Sequence, residues 1–73
     1  MNWVETTPEV LEELVRIIQR RLYGRIRGLR LVQRGSGLVL EGQSKTYYVK
    51  QLAQHALMET VDWPIVANDI QVV

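Results

Sequence analysis

A chain of 73 residues, 47% hydrophobic and 23% charged, holds at most one small domain and buries too little surface for a wide margin of stability. It has no cysteine, which excludes disulfides and thiolate metal centres, and its single histidine leaves no metal-ligand cluster and no cofactor site to expect. Net charge is only +1, yet the charges are segregated: Glu5, Glu9, Glu12 and Glu13 precede Arg16, Arg20, Arg21, Arg25, Arg27, Arg30 and Arg34, with no acidic residue inside the arginine block.

The first element is a helix. Thr6 with Glu9 three positions on has the spacing of a capping box, and Pro8 suits a first turn. Val10, Leu11, Leu14, Ile17, Ile18 and Leu22 recur at helical spacing, and Gly24 is the expected stop. Early acids and late arginines complement the helix dipole, and Glu12 stands four residues before Arg16, the favourable order for a surface pair. Residues 1–6 form an N-terminal extension, with Trp3 expected to lid one end of the core and Trp63 the other.

A strand follows over Ile26–Arg34. Leu29, Leu31 and Gln33 share one parity, Arg30, Val32 and Arg34 the other. Ile26 is out of phase with Leu29, so Gly28 is expected to form a bulge that restores the phase. Gly35-Ser36-Gly37 reads as a tight turn into an antiparallel second strand, Leu38–Gln43, with Leu38, Leu40 and Gly42 on the core side. At Gly42, a residue without Cβ lets backbone approach closely just before the next helix.

Ser44 is the expected cap of the second helix, whose apolar stripe is Tyr48, Val49, Leu52, Ala53, Ala56 and Leu57; Tyr47 falls outside it. The small Ala53 and Ala56 permit close packing. Asp62-Trp63-Pro64 breaks this helix, and Ile65–Val73 is a last strand with Val66, Ile70 and Val72 on one parity.

The expected fold is therefore α+β, an αββαβ two-layer sandwich in which both helices cover one face of a three-stranded sheet, spanning 1–73 as a single domain. Strand order is left open by this pattern. Arg30, Val32, Arg34, Val39, Glu41, Ala67, Asp69 and Gln71 fall on the uncovered face, which a second copy or another domain would cover.

This pattern resembles the BON domain, a small bacterial α-β-β-α-β module. The resemblance rests on Leu29 and Leu31, then Leu38-x-Leu40-x-Gly42, Ala53, and Val66-x-Asn68-x-Ile70-x-Val72, and spans roughly residues 9 to 73. Members usually carry Gly-Val before the last strand, where Asp62-Trp63 stands here. It implies a non-enzymatic binding module, often envelope-associated, with phospholipid contact among its proposed roles, and it makes Gly28, Leu38, Leu40, Gly42, Ala53, Asn68 and Ile70 structural positions.

The residues themselves offer no catalytic set. His55, on the flank of the second helix, reads as a surface histidine, and no nucleophile, base and orienting group stand at recognisable spacing. Arg20, Arg21, Arg25, Arg27, Arg30 and Arg34 are the candidate binding residues, for phosphate in lipid headgroups or nucleic acid; the bland alternative is a solvated face paired with Glu12, Glu41 and Asp69. Net charge near zero favours a protein or membrane-surface partner over nucleic acid, whose binding domains usually have pI above about 9. Gly24-Arg25-Ile26-Arg27-Gly28 does not match the spacing of a GxxG backbone clamp. The N-terminus lacks a basic-then-apolar secretion pattern, so a cytoplasmic location is expected for this chain alone and an envelope location if it belongs to a longer one.

Overall fold

The computed structural model describes residues 7–73; the expectations for Trp3 and Thr6 fall outside them. The order is α1 (Pro8–Arg21), β1 (Arg27–Arg34), β2 (Gly37–Ser44), α2 (Tyr47–Thr60) and β3 (Ile65–Val72), in an α+β fold with a three-stranded sheet ordered β1-β2-β3. β1 and β2 form an antiparallel hairpin; β2 and β3 are parallel, and α2 supplies the crossover that parallel neighbours require. One cluster joins Leu14 and Ile18 of α1, Leu29, Leu31, Leu38, Leu40 and Ile70 of the sheet, and Val49, Ala53, Ala56 and Leu57 of α2, so both helices cover the same face.

The stripe of α1 is set by the packing. Leu14, Ile18 and Leu22 are buried, and Leu11 and Val15 pack beside them; Ile17 is half-buried outside the cluster, so Val15 takes the place expected for it. The helix is capped by Thr7, one residue later than the capping box suggests, with its Oγ1 accepting from Val10 N–H at 3.2 Å. Its C-terminus is a Schellman turn: Gly24 N–H donates to Gln19 O at 2.8 Å and Tyr23 N–H to Arg20 O at 3.3 Å. The left-handed C′ position is thus Tyr23 (φ +56), and Gly24 is the residue after it.

The bulge lies where phase demands it. Register slips between Arg27↔Gln43 and Arg30↔Glu41, Gly28 has φ +63, and Ile26 and Leu29 both reach the core. A second irregularity, between Leu38↔Ile65 and Val39↔Ala67, makes Val66 the extra residue of β3. Val66 therefore leaves the parity of Ile70: it is 51% exposed, and its Cγ2 lies where a Cβ on Gly37 would project. Asn68 keeps the helix-facing side; its Nδ2 donates to Lys50 O and Gln54 Oε1, and its Oδ1 accepts from Ile70 N–H, tying β3 to α2.

The cap of α2 is Thr46, whose Oγ1 accepts from Val49 N–H at 3.1 Å. Ser44, expected in that role, is the last residue of β2; it is buried and its hydroxyl donates to Thr46 O. Both are short polar side chains before the helix, and the strand runs on far enough to take Ser44. Tyr48, expected in the core, is exposed, because the stripe that meets the sheet begins at Val49. Trp63 packs against the core from one end.

Arg21 bonds Glu59 across the two helices, and this hydrogen bond, then the Arg21 charge, hold the Glu59 carboxyl below its ordinary value. A depressed folded-state value stabilises the fold above the unfolded-state pKa and is lost as pH falls through the folded one. The tie is thus whole above the ordinary glutamate range and is lost as pH falls below it. Denaturation midpoints of the native chain should fall more steeply across that window than those of Glu59→Gln, by a small difference because the pair is exposed.

Candidate functional site

The arginine block does not form one surface. Arg16 pairs with Glu13 at 2.6 Å, one turn position from the expected Glu12; Arg21 pairs with Glu59; Arg30 reaches Glu41 at 3.6 Å. Asp69 enters no ion pair among the described residues. Arg20, Arg25, Arg27 and Arg34 are exposed and enter none either.

Two of these arginines meet a partner from elsewhere in the chain. Arg25 and Arg27, at the entry to β1, line a cleft of about 540 Å³ together with Lys45, Thr46 and Tyr48 at the start of α2. That volume falls within the roughly 300–1,000 Å³ usual for ligand pockets. No carboxylate side chain lines it, and the first turn of α2 carries no acid. Thr46 Oγ1 occupies the Val49 amide, while Tyr47 and Tyr48, as the first helical residues, have no intrahelical acceptor for their N–H groups. The positive end of the helix dipole therefore adds to the three cations.

The loop that presents Arg25 is tied down. Gln19 Nε2 donates to Ile26 O at 2.7 Å, and Arg25 Nε donates to Leu22 O at 2.9 Å. The Arg25 guanidinium lies 5.9 Å from the ring centroid of Tyr23. Tyr23 is the anomaly of the region: a bulky residue at a left-handed position that favours glycine, with 85% of its surface exposed. Its backbone conformation costs roughly 1–2 kcal/mol, and its ring recovers little by burial. Tyr48, which lines the cleft, is also exposed, 65% accessible. Strain of this kind, close to a cationic cleft, makes Tyr23 a candidate functional position.

The uncovered sheet face is less bare than the alternation implies. Val39 is 0% exposed, directly flanked by Val32 and Ala67 on the neighbouring strands. Strand spacing and rise give this face an area of roughly 400 Å², about half of the ~800 Å² per partner in a standard interface. His55 is exposed, and no helix among the described residues is long and apolar enough to cross a membrane.

Of the sequence candidates, then, the fold brings Arg25 and Arg27 together, leaves Arg20 and Arg34 apart, and commits Arg21 and Arg30 to ion pairs. Lys45 and Tyr23 are additions. Gly28, Leu38, Leu40, Gly42, Ala53 and Ile70 all serve packing or backbone geometry. No family model, curated protein or solved structure matches the chain.

Proposed function

We propose that the chain is a non-enzymatic binding module of BON type that docks on anionic phospholipid surfaces through the end bearing Arg25, Arg27 and Lys45. The observation that carries this reading is the convergence of these cations, without a lining Asp or Glu, on one cleft lined by the exposed Tyr48 and close to the exposed Tyr23. Amphipathic rings at headgroup depth and cations above the phosphates are complementary to such a surface.

The test is co-sedimentation with vesicles of mixed phosphatidylserine and phosphatidylcholine, against phosphatidylcholine alone. Binding to the anionic vesicles alone is expected, weakening as salt rises. At about 1 kcal/mol per cation near the surface, Arg25→Glu, Arg27→Glu and Lys45→Glu together should lower it by 100-fold or more. Tyr23→Gly should weaken binding several-fold while raising the thermal midpoint, because the left-handed strain is removed. Equal binding to neutral vesicles, or an unchanged triple variant, would sink the proposal.

Cations beside exposed Tyr47 and Tyr48 also favour a second reading, single-stranded nucleic acid stacked on the rings. It replaces the first if polynucleotide is retained at low salt and released steeply with added salt while vesicles are not bound. A purely structural or oligomerisation role, through the uncovered face, requires self-association in sedimentation.

A further inference from the structure

We infer that the groove between α1 and the outer edge of β1 is a docking site for an extended acidic segment of another protein, added to the sheet as a fourth strand. This surface is separate from the cationic cleft and does not depend on the phospholipid reading. β1 is an edge strand, with a row of backbone groups unpaired among the described residues. Beside it lies α1, leaving a groove of about 420 Å³ whose apolar walls are Leu11 and Val15 of the helix and Leu29 and Leu31 of the strand, with Glu12, Arg16 and Arg30 also lining it. Leu11 and Val15 lie on the apolar stripe yet remain half-buried, so an added strand would complete their cover.

The two faces of β1 dictate the chemistry of such a strand. Side chains directed toward the helices would meet Leu11, Val15, Leu29 and Leu31 and must be apolar. Those directed to the other face would stand beside Arg30, Val32 and Arg34; Arg30 already reaches Glu41 at 3.6 Å, so the free positive charge there is that of Arg34, which is exposed and enters no ion pair among the described residues. The period of two in β1 therefore selects an alternation of apolar and acidic residues in its partner. The same arginines argue against a second copy. Antiparallel pairing of β1 with itself brings Arg30 and Arg34 near their own copies, and like charges across strands destabilise. Pairing of β1 with β3 of another copy is heterologous and would join chains head to tail into a ring or an open filament rather than a two-fold dimer.

The experiment uses the full chain and a panel of fluorescent peptides matching the 8 residues of β1, alternating glutamate with valine, isoleucine, tyrosine or phenylalanine. Saturable binding by at least one acidic peptide is expected. It should weaken ten-fold or more in three separate comparisons: with lysine replacing glutamate, with alternate peptide nitrogens methylated, and with Arg30→Glu plus Arg34→Glu in the protein. Methylation removes the ladder donors but leaves side chains unchanged, so it separates strand addition from charge attraction. Val15→Ser, with far-UV circular dichroism confirming the fold, should weaken binding as well. The inference is overturned if no acidic peptide saturates at up to about 1 mM, if lysine peptides bind equally, if methylation has no effect, or if the chain itself polymerises through β1.

Discussion

Gly42→Ala is expected to lower the urea midpoint by half or more, a larger loss than Gly24→Ala or Gly28→Ala, where an added Cβ meets nothing within 4 Å. A Cβ at position 42 would stand 2.9 Å from Ile26 Cγ2, 3.1 Å from Arg27 O and 3.3 Å from Leu29 Cα. Two of these three atoms are backbone, and they belong to the bulged start of β1, which folds over the core side of β2 at this point. The side chain of Ile26 is fully enclosed and has nowhere to go. Residue 42 also has φ +148, which side-chain-bearing residues rarely adopt. Overpacking of about 1–3 kcal/mol and backbone strain of about 1–2 kcal/mol add at this site. At roughly 0.05–0.15 kcal/mol per residue, a domain of this size has only a few kcal/mol to lose. Gly28→Ala is the control: φ is +63 but nothing lies within 4 Å, so only the strain remains and a loss of about 1 kcal/mol is expected. Urea titrations followed by circular dichroism measure both. Similar losses at the two positions would mean that close approach is not what Gly42 provides.

That result bears on what the sequence makes legible. The bulge at Gly28 and the close approach at Gly42 are readable because phase and composition both point to them: Ile26 and Leu29 can enter one core only if a residue is inserted between, and the inserted backbone must then pass over a position without Cβ. The caps are less legible, because Thr6 and Thr7, or Ser44 and Thr46, offer equivalent hydroxyls and the choice depends on where the preceding strand or loop ends. Tyr48 and Val66 are misplaced by alternation alone for a shared reason. Each lies at the end of an element, where a helix has not yet reached the sheet or a strand gains an extra residue. Parallel pairing of β3 beside β2 is a long-range choice, consistent with the pattern but not contained in it.

The candidate site shows the same division. A run of arginines is visible at once, but its meaning depends on which members are already paired. Glu59, which takes Arg21, is distant in sequence, and Glu41, which takes Arg30, is brought near by the hairpin register. Lys45 reaches Arg25 and Arg27 only because β2 ends where β1 begins, as Arg27↔Gln43 requires. The signal for Tyr23 was present, a bulky residue directly before the glycine expected to end α1, but glycine at that position draws the left-handed conformation to itself when propensity alone is considered.

Ile18→Ala should be the second large loss, and it tests whether α1 and α2 share one core or occupy two. Ile18 is 0% exposed at the centre of the apolar stripe of α1, in the cluster that also holds Leu40, Ile70 and Leu57. Truncation removes transfer energy and leaves a cavity, about 2–5 kcal/mol in comparable cores, against about 0.5–1.5 kcal/mol for Ile18→Val. With midpoints moving roughly 4–8 °C per kcal/mol in domains of this size, the alanine variant should melt about 8–40 °C below the native chain and the valine variant about 2–12 °C below it. Because α1 rests on β1 and α2 on β3, a divided core would let the α2–β3 half persist after α1 is loosened. A single cluster predicts instead that helical circular dichroism and aromatic fluorescence fall together in both variants, as a two-state unit requires. A fluorescence transition surviving above the helical one in Ile18→Ala would show that the two helices stand on separate cores, and that the cleft at the start of α2 can persist without α1 while its Arg25 wall, held by Gln19, cannot.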